Sequence, residues 1–120
     1  MENVVVIGAS AKPERYSNKA IRMLAEYGHT PIPVAPREEE IEGLKTYTRL
    51  PDITAKVDTV TMYVGAARQD ELIAGIIGLA PKRVIFNPGT ENPDAYPRLN
   101  AAGIETLEAC TLVLLRSHQF

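Results

Sequence analysis

The chain has 120 residues, 45% hydrophobic and 23% charged, which is room for one core and an ordinary balance for a folded domain. Its 13 basic residues are scattered among 15 acidic ones, for a net charge of -2, so the dense basic stripe expected of a nucleic-acid binder is absent. No apolar run nears the roughly 20 residues a membrane helix needs, and Cys110, the only cysteine, excludes an intrachain disulfide and a cysteine-rich metal site.

The opening Met1-Glu2-Asn3 runs straight into Val4-Val5-Val6-Ile7. It lacks the basic start and small-residue cleavage site of a signal peptide, so the expected location is the cytoplasm. Residues 4–7 read as a strand buried on both faces, closed by Gly8. Residues 18–27 place Ile21, Leu24 and Ala25 at helical spacing, with the helix expected to begin near Ser17 and Gly28 as its stop. Residues 31–34 form a short second strand, ended by Pro36. Residues 37–52 are irregular and are expected to cross the sheet edge with little helix of their own.

Residues 57–64 read as the third strand. Residues 69–79 follow as a helix with Leu72, Ile73, Ile76 and Ile77 on one stripe. A fourth strand is expected over 83–86, a helix over 92–102, a fifth strand over 104–107 and a closing helical turn over 110–115. Strands separated by helices imply right-handed crossovers and a mostly parallel sheet. The expectation is one domain over 1–120: a doubly wound α/β fold with five strands.

In such a sheet, ligands bind beyond the carboxyl ends of the strands where the strand order reverses. That singles out residues 8–17, Gly-Ala-Ser-Ala-Lys-Pro-Glu-Arg-Tyr-Ser. Gly8 permits a tight turn, and the following helix offers unpaired N–H groups and the positive end of its dipole to an anion. Ser10 and Ser17 add hydroxyl donors; Lys12 and Arg15 add full charges. The plainer alternative is that Ser17 only caps the helix and the loop binds nothing.

A dinucleotide fingerprint would require glycines at 8, 10 and 13, where the chain has Gly8, Ser10 and Pro13. Pro13 also forbids a helix running through Lys12. NAD sites place an acid at the end of the second strand to hold the ribose hydroxyls. Here that position reads Val34-Ala35-Pro36-Arg37. Arginine suits a phosphorylated ribose, as in NADP or coenzyme A, unless Arg37 is simply solvated surface. Glu38, Glu39 and Glu40 read as a solvated run.

Gly8-Ala9-Ser10 with Pro13, Arg15 and Ser17, then Val34-Ala35-Pro36, Glu42-Gly43-Leu44-Lys45 and Pro51, resemble the small stand-alone CoA-binding proteins. Their Rossmann-like domain is shared with the α subunit of succinyl-CoA synthetase. Asn87-Pro88-Gly89-Thr90-Glu91-Asn92, Ala102-Gly103-Ile104 and the late Cys110 fit the same pattern, so the resemblance covers about residues 4–115. It implies that Gly8, Ala9, Ser10, Lys12, Pro13, Arg15 and Ser17 hold the CoA phosphates. It further implies that Pro36 and Arg37 flank the adenosine and its 3′-phosphate. By the same resemblance, Tyr63, Val64 and Gly65 pack on the adenine or the start of the pantetheine arm, and Asn87, Pro88 and Gly89 border the pantetheine channel. The chain departs from the family at Ala35, where asparagine is usual, and lacks the glutamine common within residues 87–89.

Catalytic chemistry finds little support. His29 and His118 have no metal-spaced partners and read as surface residues. The synthetase's second domain, which carries its phosphorylated histidine, has no counterpart here, so ligase chemistry would need a partner. Cys110 is the one candidate nucleophile, with a small buried hydrophobe as its plainer reading. The favoured expectation is a non-catalytic CoA or acyl-CoA binding protein acting as sensor, carrier or accessory subunit. The alternatives are an NAD(P)-type regulatory domain and a CoA-thioester enzyme using Cys110. The apolar stretch 112–115 leaves a homodimer open; neither nucleic acid nor membrane is an expected partner.

Overall fold

The computed structural model describes Met1–Phe120. Seven strands and four α-helices follow one another along the chain: β1 (Asn3–Ile7), α1 (Tyr16–Glu26), β2 (Thr30–Val34), β3 (Glu40–Ile41), β4 (Leu44–Lys45), β5 (Thr59–Met62), α2 (Asp70–Leu79), β6 (Arg83–Phe86), α3 (Tyr96–Ala101), β7 (Glu105–Glu108) and α4 (Thr111–Arg116). Five of the strands form one parallel sheet in the order β2-β1-β5-β6-β7. The fold is thus the expected Rossmann-like α/β architecture. No helix is long and apolar enough to cross a membrane.

The run Val4–Ile7 explains why the sheet is covered twice. Alternate strand residues point to opposite faces. Val5 and Ile7 join Val60, Met62, Val84 and Phe86 against Ile73 and Ile76 of α2 and Leu99 of α3. Val4 and Val6 pack instead with Ile21 and Leu24 of α1 and Leu115 of α4. Every one of these residues is buried, which is why the strand sequences are apolar without alternation.

The edge strand β2 contains two prolines, and its geometry accommodates them. Thr30 N donates to Glu2 O, and Val34 O accepts from Gly8 N and Ala9 N, so the even positions face β1. Pro31 and Pro33 face away, where no ladder N–H is needed. The outer side is then covered by Tyr47, whose N–H donates to Pro33 O while its carbonyl accepts from Ala35 N.

Several boundaries differ from the expected ones. Helix α1 starts at Tyr16, ahead of Ser17, and Arg15 precedes it without a side-chain cap. At its end Gly28 N donates to Ala25 O and His29 N to Leu24 O, with Gly28 at φ 89; this is the left-handed stop that Gly28 promised. Strand β5 is four residues long, because its β1 and β6 ladders run only from Thr59 to Met62. The expected helix over 92–102 is a 3₁₀ turn, Pro93–Ala95, followed by the shorter α3. The segment 37–52 holds the β3–β4 hairpin and a 3₁₀ turn, Leu50–Asp52.

His29 is also less peripheral than expected. It is half-buried, its Nδ1 accepts from Glu2 N at 3.1 Å, and its ring lies 4.9 Å from that of Phe120.

Candidate functional site

The chain leaves β1 for β2 on one side and later returns on the other side of β1 as β5. The strand order therefore reverses between β1 and β5, and the loops after these strands diverge there. Gly8 turns the first loop at φ 86. A Cβ at this position would lie 3.0 Å from the Tyr63 carbonyl carbon and oxygen and from Val64 Cγ2. Only glycine lets the two loops approach this closely.

The walls enclose a cleft of about 290 Å³. Gly8, Ser10, Arg15, Tyr16 and Ser17 contribute from the first loop and the start of α1. Tyr63 and Gly65 follow β5, and Pro88, Gly89 and Thr90 follow β6. Of the sequence-derived candidates, Gly8, Ser10, Arg15, Ser17, Tyr63, Gly65, Pro88 and Gly89 thus meet in one place.

The others do not line it. Ala9 is buried in the core beside Val6, and Val64 packs on the core of the α2 face. Lys12, Pro13, Pro36 and Arg37 are exposed. Asn87, the expected channel residue, is 2% exposed and turned inward. Its Nδ2 donates to Thr61 Oγ1 at 2.8 Å and Met62 O at 2.9 Å, and its Oδ1 accepts from Thr111 N at 2.8 Å. Its polar atoms are committed to tying β5, β6 and α4 together.

The first loop is held from behind by two side chains of α1. Asn18, fully buried, donates through Nδ2 to Ser10 O at 2.9 Å and to Glu42 Oε2 at 3.2 Å. Arg22 donates through Nε to Asn18 Oδ1 and through Nη2 to Pro13 O, each at 2.8 Å. With carbonyls engaged behind, the N–H groups of Ser10, Ala11, Tyr16, Ser17 and Asn18 make no intramolecular hydrogen bond. The last three are the orphan donors of the first turn of α1. Ser10 Oγ accepts from Lys12 N at 3.1 Å, which tightens the loop further. Ser17 makes no capping hydrogen bond, so the plainer alternative, in which it only caps the helix, is not what the structure shows for its side chain.

The opposite wall is fixed by Gln69, fully buried between two loops. Its Nε2 donates to Val64 O and Thr90 O at 2.8 and 2.7 Å, and its Oε1 accepts from Asn92 Nδ2 at 3.0 Å. Thr90 Oγ1 donates to Asn87 O at 2.8 Å.

Below the cleft, the Tyr63 hydroxyl is buried without a hydrogen-bond partner. The nearby Thr61 and Thr111 hydroxyls bond each other at 2.7 Å instead. Burial pushes the Tyr63 phenol up to about 12; the Thr61 and Thr111 hydroxyls oppose this rise and Cys110 adds to it. Cys110 is half-buried, immediately before α4.

An anion fits this arrangement. The free amides of Ser10, Tyr16 and Ser17, the Ser17 hydroxyl and the Arg15 guanidinium belong to residues that line the cleft and offer donors and positive charge, and the positive end of the α1 dipole adds to them. Sequence reasoning located the loop from Gly8 and the strand before it. It missed Tyr16, Thr90, Asn18 and Gln69; for the last two, only a polar residue on an otherwise apolar stripe could have hinted at burial.

Known proteins agree with the fold and place the chain. YneT of Bacillus subtilis is 27% identical over 106 residues, covering 85% of this chain and 76% of YneT. The α subunit of an ADP-forming acetate–CoA ligase of Pyrococcus furiosus is 37% identical over 62 residues, 51% of this chain but 14% of the subunit. A crystal structure of an uncharacterized protein superposes with a TM-score of 0.94 at 39% identity, covering 100% of this chain and 98% of that one. The CoA binding domain model matches residues 2–116, and the chain belongs to that family.

Proposed function

We propose that the cleft holds coenzyme A or an acyl-CoA, with the diphosphate seated on the loop between β1 and α1. One observation carries this reading: the Ser10, Ala11, Tyr16, Ser17 and Asn18 amides are without intramolecular partners at the switch point of the sheet. A diphosphate would satisfy them, and Arg15 would add a charge-assisted bond of about 1–3 kcal/mol. Pro88, Gly89 and Thr90, held by Gln69, would border the pantetheine arm, and Tyr63 and Gly65 would lie beneath it.

The protein's role is binding without chemistry: a sensor, carrier or accessory subunit in which the loop positions the nucleotide and excludes water from its phosphates. Coenzyme A supplies the thiol or thioester, and no side chain at the cleft is arranged as a base or nucleophile toward it. The cleft-lining residues include a single ionisable cation, Arg15, and no carboxylate or histidine.

Calorimetric titration with CoA tests this reading. The native protein should bind, Arg15→Glu should weaken binding about tenfold or more, and Ser10→Tyr should abolish it with the melting temperature preserved. Equal binding by all three proteins would refute the assigned site.

A further inference from the structure

The cleft opens to one side of the switch point. Its walls come from the loops after β1, β5 and β6 and the start of α1, and no residue from the end of β2 lines it. In doubly wound sheets that bind dinucleotides, the adenosine ribose lies at the end of β2, and the rest of the ligand extends over the other half of the sheet. The cleft therefore matches the part of the ligand beyond the diphosphate, away from the adenosine.

One aromatic ring stands in it largely in water. Met1, Tyr16, Tyr27 and Val113 are the exposed large hydrophobic side chains of the molecule. Exposure of that kind is ordinary by itself, but Tyr16 alone of the four lines the cleft. Its side chain is 69% exposed and takes part in none of the aromatic pairs of the fold. Lys19 Nζ lies over one face, 5.3 Å from the ring centroid, which leaves the other face to a ligand. The backbone beneath the ring is fixed, because Tyr16 is the first residue of α1. In the same cleft Pro88, Gly89 and Thr90 present a wall that is also fixed, with Thr90 O held by Gln69 Nε2 at 2.7 Å. A rigidly mounted ring face beside a backbone wall suits a slender chain of methylene and amide groups, which can lie flat on the ring.

We propose that Tyr16 is a specificity-determining residue of the cleft: its ring covers the pantetheine arm, so that the protein selects an adenosine diphosphate bearing a long amide-containing arm over the same nucleotide without one. The inference rests on the reading of the cleft as a CoA site and adds to it the side chain that reads the arm.

The test compares dissociation constants of CoA and of 3′-phospho-ADP, the same nucleotide without its arm, for the native chain, Tyr16→Ala and Tyr16→Phe. Tyr16→Ala should weaken CoA about tenfold and 3′-phospho-ADP less than about twofold, with the melting temperature preserved because the ring is exposed. Tyr16→Phe, which keeps the ring, should bring CoA back to within about twofold of the native value. An unchanged ratio of the two constants in Tyr16→Ala would overturn the inference, whether neither ligand weakens or both weaken alike, and would leave the diphosphate site standing. Loss of CoA affinity in Tyr16→Phe as large as in Tyr16→Ala would overturn it too, because the hydroxyl and not the ring face would then make the contact. Failure of both ligands to bind the native chain would overturn the reading of the cleft and this inference together.

Discussion

Asn18 holds the Ser10 carbonyl at 2.9 Å from inside the first turn of α1. The bond engages the loop's carbonyl side, while the Ser10 amide makes no intramolecular hydrogen bond. Because Asn18 is fully buried, no water stands beside its nitrogen to take over the donation to Ser10 O. Asn18→Asp would remove both donations and set a carboxylate against Glu42. The expected result is a loss of about 2–4 kcal/mol in urea unfolding, with CoA affinity falling in parallel. Asn18→Asp unfolding like the native protein would show that the bond contributes little.

Gly8 should tolerate no side chain. Its φ of 86 is unfavourable for L residues, and its Cβ would meet backbone atoms of Tyr63 at 3.0 Å. Gly8→Ala should cost about 2 kcal/mol or more and lower the melting temperature by several degrees. Gly43→Ala, with φ 75 and nothing near its Cβ, should cost about 1–2 kcal/mol. Equal melting temperatures for the two variants would contradict the close approach of the loops.

Tyr63 should give stability an alkaline limit. Its phenol titrates near 12 in the folded chain, against 10 for the free side chain. A raised folded value means that the folded state keeps its proton longer. The contribution is complete below pH 10 and is lost as pH rises through about 12. Tyr63→Phe removes the unpaired buried hydroxyl, so it should be neutral or stabilising by about 1 kcal/mol at pH 7. Its unfolding free energy should also fall less steeply between pH 10 and 12. The check is urea unfolding across pH 8–12; parallel profiles for the two proteins would contradict the account.

Asn87 should matter for the fold rather than for the ligand directly. Its side chain serves Thr61, Met62 and Thr111 at once. Asn87→Ala strands two acceptors and the first-turn amide of α4, and a loss of about 3 kcal/mol is expected. Asn87→Leu should be no better, because the unmet partners remain. Thermal melts of both variants check this, and a variant melting within a degree or two of the native protein would contradict it.

What the sequence disclosed follows from the range of the interactions involved. Val4–Ile7 and Val84–Phe86 are continuous apolar runs, because each strand is buried on both faces, and burial of that kind is written locally. Gly8 and Gly28 were legible for the same reason, since each marks a left-handed turn at the end of an element. The hairpin Glu40–Lys45 was not legible: strands of two residues carry no period, and Glu42 occupies a left-handed position that glycine or asparagine usually marks. The inward turn of Asn87 was hidden because its partners, Thr61 and Thr111, lie 26 and 24 residues away. The loop was singled out as an anion-site candidate from topology, but the side chains that shape it from behind, Asn18 and Arg22, were read only as part of a helix.

The central claim concerns which atoms of the loop meet the ligand, and an amide ¹H–¹⁵N titration with CoA addresses it most directly. The account predicts that the Ser10, Ala11, Tyr16, Ser17 and Asn18 amides shift the most, downfield as they donate to phosphate oxygens, with smaller shifts at Gly65 and Gly89. Saturable binding in which those five amides stay in place while the largest shifts fall on another face of the sheet would contradict it.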